Sequence, residues 1–228
     1  MTEKKEIILK IIILGSSEVG KTSILNRYFN NNFSPNLLST IGIDFKTKFF
    51  KFDEEKVKLN FIDTAGQEKF RAISVNYLKG INGVILVFDI TKRETFDLIQ
   101  GWIENINQNN EGNIGKILLG NKLDLEDNRE VLKEDAEKLA NELECQYFEG
   151  SAKSGENIIE ALDEVAKISF QNYKSLLESE KRHSIRISSE SHINNNKGEK
   201  RKKCCYLYYF SNKRRNVKGI NEEIHKED

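Results

Sequence analysis

From Ile7 to Leu14 the chain runs through apolar, mostly β-branched residues with Lys10 as the single polar interruption, and it stops at Gly15. That pattern predicts a short strand buried on both faces. Thr22 to Phe29 follows with helical spacing. Ile43 to Phe52 and Lys56 to Asp63 alternate apolar and polar side chains about Asp53-Glu54-Glu55, which predicts a hairpin. Gly83 to Asp89 and Lys116 to Asn121 read as two further buried strands, each followed by a helical pattern, Glu94 to Asn107 and Val131 to Leu143. Gln146 to Glu149 predicts a last short strand, and Asn157 to Tyr173 a closing helix. Strands alternating with helices of this length predict an α/β chain in three layers, a mixed, mostly parallel six-stranded sheet with helices on both faces. Past about Leu177 the periodicity stops and Ser, Asn, Lys and Glu take over, as in a disordered linker.

Composition narrows the class. The 228 residues suffice for one ordinary domain plus tails. Hydrophobic residues at 38% and charged residues at 32% supply one core, not a membrane bundle, and no run of eighteen apolar residues occurs. The segment Met1 to Leu14 imitates a signal peptide, but Lys10 breaks its apolar run and no small-residue cleavage site follows. Three cysteines, two of them adjacent, make no stabilising framework and favour a reducing compartment such as the cytosol. Cys145 reads as a small core residue. The net charge of zero hides an asymmetry: residues 176–228 hold 13 Lys and Arg against 8 Asp and Glu, and residues 1–175 hold 23 against 28. A basic tail on an acidic body points to an anionic membrane surface, or a nucleic acid as the weaker alternative, as the tail's neighbour. The tail contains no nucleic-acid reading module.

Chemistry enters at the end of the first predicted strand, where folds of this kind bind ligands. Gly15-Ser-Ser17-Glu18-Val19-Gly20-Lys21-Thr22 fits the phosphate-loop pattern G-x-x-x-x-G-K-[ST], with Ser23 next in line. Its glycines let backbone N–H groups wrap a phosphate at a helix N-terminus, Lys21 neutralises the terminal phosphates, and Thr22 offers a hydroxyl to Mg²⁺. The rival dinucleotide fingerprint fails at Ser17, where it needs glycine. Asn121-Lys122-Leu123-Asp124 follows a predicted strand directly, and Ser151-Ala152-Lys153 follows the last one. The Asp124 carboxylate offers two acceptors to the paired N–H donors that guanine presents and adenine lacks. Asn121 and Lys122 support the loop and the flat faces of the base, and the Ala152 N–H reaches the base carbonyl.

With Asp63-Thr-Ala-Gly66-Gln67-Glu68 standing between those motifs, the chain resembles a small GTPase of the Ras superfamily and, within it, the Rab family, over roughly residues 7 to 175. The Rab-type stretches are Ser39-Thr40-Ile-Gly-Ile-Asp-Phe45, Gln67-Glu-Lys-Phe-Arg71, Tyr77-Leu-Lys-Gly80, Leu86-Val-Phe-Asp-Ile-Thr91 and Trp102-Ile103; the first is similar to secretory-pathway members. The resemblance implies the P-loop GTPase fold, with a GTPase domain over 1–175, a hypervariable linker over 176–203, and a dicysteine with an atypical extension over 204–228. It implies a monomeric switch that binds GTP or GDP with Mg²⁺, hydrolyses GTP slowly and regulates vesicle traffic. Thr22 and Thr40 bind the metal directly and Asp63 does so through water. The Thr40 and Gly66 backbones sense the γ-phosphate, whose loss releases both switch loops. Gln67 orients the attacking water, and Phe33 sits edge-on beside the base. No arginine stands at the position of a finger in cis, so an activating protein is expected. An exchange factor, a dissociation inhibitor or escort protein, and effectors complete the implied partners, with no nucleic acid among them. The implied location is cytoplasmic, cycling onto the cytosolic face of secretory or endocytic membranes.

The chain departs from the Rab pattern at three places. Glu18 replaces the usual glycine or alanine and brings a carboxylate near a polyphosphate, a repulsion of about 1 kcal/mol in a partly solvated site, which predicts faster nucleotide release. Ile62 stands where a tryptophan usually forms an effector-reading triad with the positions of Phe45 and Tyr77, which predicts an altered choice of partner. Lys200-Arg-Lys-Lys203-Cys204-Cys205 resembles a Rab terminus, where paired cysteines are geranylgeranylated beside a basic run. Here 23 residues follow, beginning Tyr206-Leu-Tyr-Tyr-Phe210, and prenylation of this type needs the cysteines near a free end. Three readings stand: an artefact of the gene model or of read-through, a trimmed extension, or a real one in which palmitoylation or the aromatic run substitutes. Two rival functions are a nucleotide-independent scaffold, in which Glu18 abolishes binding, and a P-loop kinase, which the absence of an arginine-rich lid disfavours.

Overall fold

The computed structural model describes residues 6–35, 42–52, 54–64, 77–110 and 112–193, with side chains as far as Arg182. The chain divides into two units, residues 1–179 and residues 180–228. In the first, β1 (Ile7–Leu14), β2 (Ile43–Phe52), β3 (Glu55–Thr64), β4 (Gly83–Asp89), β5 (Gly115–Asn121) and β6 (Gln146–Glu149) form one sheet in the order β2-β3-β1-β4-β5-β6. Only β2 runs antiparallel; it pairs with β3 from Phe52↔Glu55 to Ile43↔Thr64. The other neighbours are parallel, as crossover helices between successive strands require.

Alternation along β1 divides the core. Leu9, Ile11 and Ile13 face a cluster with Ile24, Leu25 and Tyr28 of α1 (Lys21–Asn30) and with Ile158, Leu162 and Val165 of the C-terminal helix. Ile12 and Leu14 face a second cluster with Phe96 of α2 (Arg93–Asp97), with Ile99, Trp102, Ile103 and Ile106 of α3 (Ile99–Asn109), and with Ala136 and Ala140 of α4 (Lys133–Glu142). Two apolar layers on one sheet give the three-layer α/β fold of P-loop GTPases. Each fully buried Ile or Leu contributes about 1.5–3 kcal/mol.

Two elements differ from the sequence pattern. The helix predicted over Glu94 to Asn107 is two helices separated at Leu98, a turn residue at φ −81° and ψ −9°; both pieces still bury their apolar residues in the second cluster, so hydrophobic spacing carries no trace of the break. The last helix, α5, spans Ile158–Ile193, continuing beyond Tyr173 and through the stretch read as losing periodicity. Glu178, Glu180, Lys181 and Arg182 are good helix formers, so propensity sustains helix where no apolar face marks it. In the second unit the described residues are the part of this helix beyond Ser179.

Candidate functional site

β1 lies between β3, reached through α1 and the hairpin, and β4, from which the chain proceeds to the opposite edge. The crevice at the carboxyl ends of β1 and β4 is therefore the switch point of the topology, and the loops after β1, β4, β5 and β6 all converge there.

The loop from Gly15 to Gly20 turns the chain from β1 directly into α1. Gly20 is the N-cap of α1 at φ 95°, no side chain caps the helix, and its first turn holds no acidic residue. The N-terminal N–H groups of α1 thus face an anion-ready end. A Cβ on Gly20 would lie 2.4 Å from Asn121 Nδ2. Lys21, only 5% exposed, folds its ammonium back onto the Gly15 and Ser16 carbonyls at 2.9 and 2.8 Å. Thr22 and Ser23 follow, half-buried, on the first turn.

Asp63 of β3 stands beside Ile13 in the parallel ladder and is wholly buried. Neither of its carboxylate oxygens has a hydrogen-bond partner among the described residues. Burial pushes its pKa up, and the nearby Thr22 hydroxyl and Lys21 ammonium oppose that shift. Two buried carboxylate oxygens answered by no more than the nearby Thr22 hydroxyl and Lys21 ammonium are costly, and a hard divalent cation with oxygen ligands would relieve them. The residues fit Mg²⁺ on that ground.

The base side is organised by Asn121. Its Nδ2 donates to the Val19 carbonyl at 2.7 Å, and its Oδ1 accepts the Ala152 N–H at 3.0 Å. One side chain thereby ties the phosphate loop to both base loops. The Ala152 N–H, expected from sequence to face the base carbonyl, is engaged by Asn121. Asp124 accepts the Ser151 hydroxyl at 2.6 Å on Oδ1 and meets Lys153 Nζ at 3.3 Å on Oδ2. Each oxygen keeps a further lone-pair direction for a donor. Lys122 adopts φ 73°, and its ammonium lies 2.6 Å from Asp89 Oδ2.

The remaining sequence-predicted residues fall in different places. Glu18 is exposed at φ 63° and turns its carboxylate to Lys92 Nζ at 3.4 Å, which weakens the expected repulsion of a polyphosphate. Phe33 is half-buried and packs on the first cluster. Phe45 and Tyr77 are in ring contact at 6.0 Å between centroids, with Phe45 51% exposed. Ile62, across the ladder from Phe45, is only 2% exposed and belongs to the second cluster, so its side chain adds little to a surface. Cys145 is half-buried rather than buried, and burial pushes its thiol up to about 11. Thr40, Gly66, Gln67, Cys204 and Cys205 lie outside the described residues.

Three positions escaped the sequence reading. Arg27 of α1 donates to the Ala152 carbonyl at 2.9 Å, to the Lys153 carbonyl at 2.6 Å, and to the Asn31 carbonyl and side-chain oxygen at 3.1 and 3.0 Å. Asp89 and Lys92 flank the turn after β4. Arg27 and Ala152 stand 125 residues apart, and no local pattern announces such a bond.

A phosphate loop and a guanine-type loop that share one asparagine, at the switch point of a mostly parallel sheet, define a P-loop nucleotide switch domain. The family model for the Ras family matches residues 10–171. The chain is 42% identical over 167 residues, 73% of its length and 82% of the relative's, to the Ras-related protein Rab-13 of Mesocricetus auratus. It is 42% identical over 167 residues, 73% of its length and 81% of the relative's, to human Ras-related protein Rab-8B, and 40% identical over 166 residues, 73% and 83%, to GTP-binding protein ypt2 of Schizosaccharomyces pombe. The chain belongs to the Rab family of small GTPases. It is a guanine-nucleotide switch that binds GTP, hydrolyses it to GDP and serves intracellular vesicle trafficking.

Proposed function

We propose that the switch works through the residues described above, with Asp124 reading guanine and the Gly15 to Thr22 loop holding the phosphates. The bridge from Val19 through Asn121 to Ala152 carries this reading, because it couples the phosphate and base subsites in one rigid unit. Lys21, now bonded to loop carbonyls, is poised to exchange them for phosphate oxygens. Thr22 and Thr40 would hold Mg²⁺ directly and Asp63 through water, and the ion would supply charge neutralisation to the phosphates. Gln67 orients the attacking water, and Thr40 and Gly66 sense the γ-phosphate; these roles rest on the family pattern. Asp124→Asn tests the base assignment. The new side chain donates as well as accepts, so preference should pass from guanine to xanthine nucleotides in a competition assay, and retained guanine preference would contradict the assignment.

The protein's cycle then involves an exchange factor, an activating protein, a dissociation inhibitor or escort protein, and effectors that read the neighbourhood of Phe45 and Tyr77. If the residues after Cys205 are trimmed from the mature protein, membrane attachment would run through lipid on Cys204 and Cys205 with help from the basic run Lys200 to Lys203, on the cytosolic face of secretory or endocytic membranes. No helix among the described residues is long and apolar enough to cross a membrane. Intact mass of the protein from its own cells tests this: a chain ending at Cys205 with two prenyl masses supports attachment through the cysteines, and a chain ending at Asp228 without lipid contradicts it.

A further inference from the structure

Asp89 ends β4, a strand whose other residues are apolar or glycine and which is buried throughout. Its side chain is 1% exposed, and a buried carboxylate is unfavourable unless its oxygens are answered. Oδ1 accepts the Thr91 backbone N–H at 2.9 Å and the Thr91 hydroxyl at 2.7 Å. Oδ2 faces Lys122 Nζ at 2.6 Å, a charge contact outside hydrogen-bond geometry. Parallel pairing sets Asp89 opposite Asn121, so the lysine it holds is the next residue of the guanine-type loop. Lys122 is also held at a left-handed φ of 73°, an unfavourable conformation for a residue with a Cβ. A buried charge and a strained backbone therefore meet at one lysine whose side chain is still 28% exposed, and such costs persist where the geometry itself is required.

We propose that Asp89 is a positioning residue for guanine recognition. Its carboxylate anchors the Lys122 ammonium, so that the lysine's methylene stem stands ready against the face of the base. A lysine stem is flexible, and an unanchored one must lose rotamer freedom each time nucleotide binds. Thr91 serves the same end by occupying Oδ1 and leaving Oδ2 for the lysine. This inference rests on the nucleotide-site reading above and adds a residue to it.

The test is a double-mutant cycle on the full chain loaded with a fluorescent GDP analogue and chased with excess unlabelled GDP. Wild type, Asp89→Asn, Lys122→Gln and the double variant are compared, with a thermal melt of each in saturating GDP. Each single substitution should speed release about tenfold, and the double variant should release no faster than Lys122→Gln alone. Multiplying effects would overturn the proposal, because a merely structural Asp89 would act in either background; so would an unchanged rate in Asp89→Asn or in Lys122→Gln. Should Asp89→Asn not fold, Asp89→Glu keeps the charge but displaces it, and the same loss of effect is required in the Lys122→Gln background. Competition of GDP against ADP on wild type separates the two levels. No guanine preference removes the base-site reading and this proposal together, whereas guanine preference with multiplying effects removes the proposal alone.

Discussion

Glu18 Oε2 lies 3.4 Å from Lys92 Nζ, so the only carboxylate in the phosphate loop is paired with a lysine from the turn after β4. Both side chains are largely solvated, at 72% and 43% exposure, and an exposed pair of this kind is worth at most about 1 kcal/mol. Glu18→Gly should therefore change the GDP release rate by less than about fivefold. Because Glu18 occupies φ 63°, glycine should also relieve a left-handed strain of about 1 kcal/mol and raise the melting temperature. Stopped-flow release and a thermal melt check both; release slowed by more than about tenfold would restore the carboxylate as a repelling group.

Asn121→Ala should be far more damaging. It removes the buried bonds to the Val19 carbonyl and the Ala152 N–H and leaves both groups unanswered, at about 1–3 kcal/mol each. Denaturant unfolding with saturating GDP should show the lost stability, and nucleotide release should accelerate with it.

Arg27→Ala should loosen the base loop without touching nucleotide. The side chain grips the Ala152 and Lys153 carbonyls together, and charge-assisted bonds of this kind contribute about 1.5–3 kcal/mol. GDP release should rise at least about tenfold. Arg27→Lys should rescue only part of it, since a point charge cannot span both carbonyls as a guanidinium does.

The strands were legible because short apolar runs ending at Gly15, Asp89 and Asn121 are hard to read otherwise, and the phosphate loop and the Asn121 to Asp124 loop announced themselves by spacing. What stayed hidden joins residues distant in sequence: Lys122 with Asp89, Arg27 with Ala152 and Lys153, Glu18 with Lys92. Each is a polar contact between segments distant in the chain that only the sheet order brings together, and none leaves a periodic trace. The break at Leu98 and the helix beyond Tyr173 were hidden for a different reason, since neither changes the apolar spacing on which the reading depended. Ile62 shows the reverse limit. Its position identified it with a surface triad, but a smaller side chain there sinks into the second cluster.

Ile62→Trp should accordingly destabilise. At 2% exposure an indole has to displace its neighbours in the second cluster, and overpacking of this kind costs about 1–3 kcal/mol. A lowered melting temperature is expected; an unchanged or raised one would mean that the larger ring reaches the surface beside Phe45 and Tyr77.

The central claim is that this fold holds a guanine nucleotide through Asp124 and the phosphate loop. Protein purified without added nucleotide and then heat-denatured should release GDP or GTP in near-stoichiometric amount, identified by chromatography. Release of ADP or ATP would contradict the base assignment, and an empty site that stays empty at saturating GTP with Mg²⁺ would contradict the switch itself.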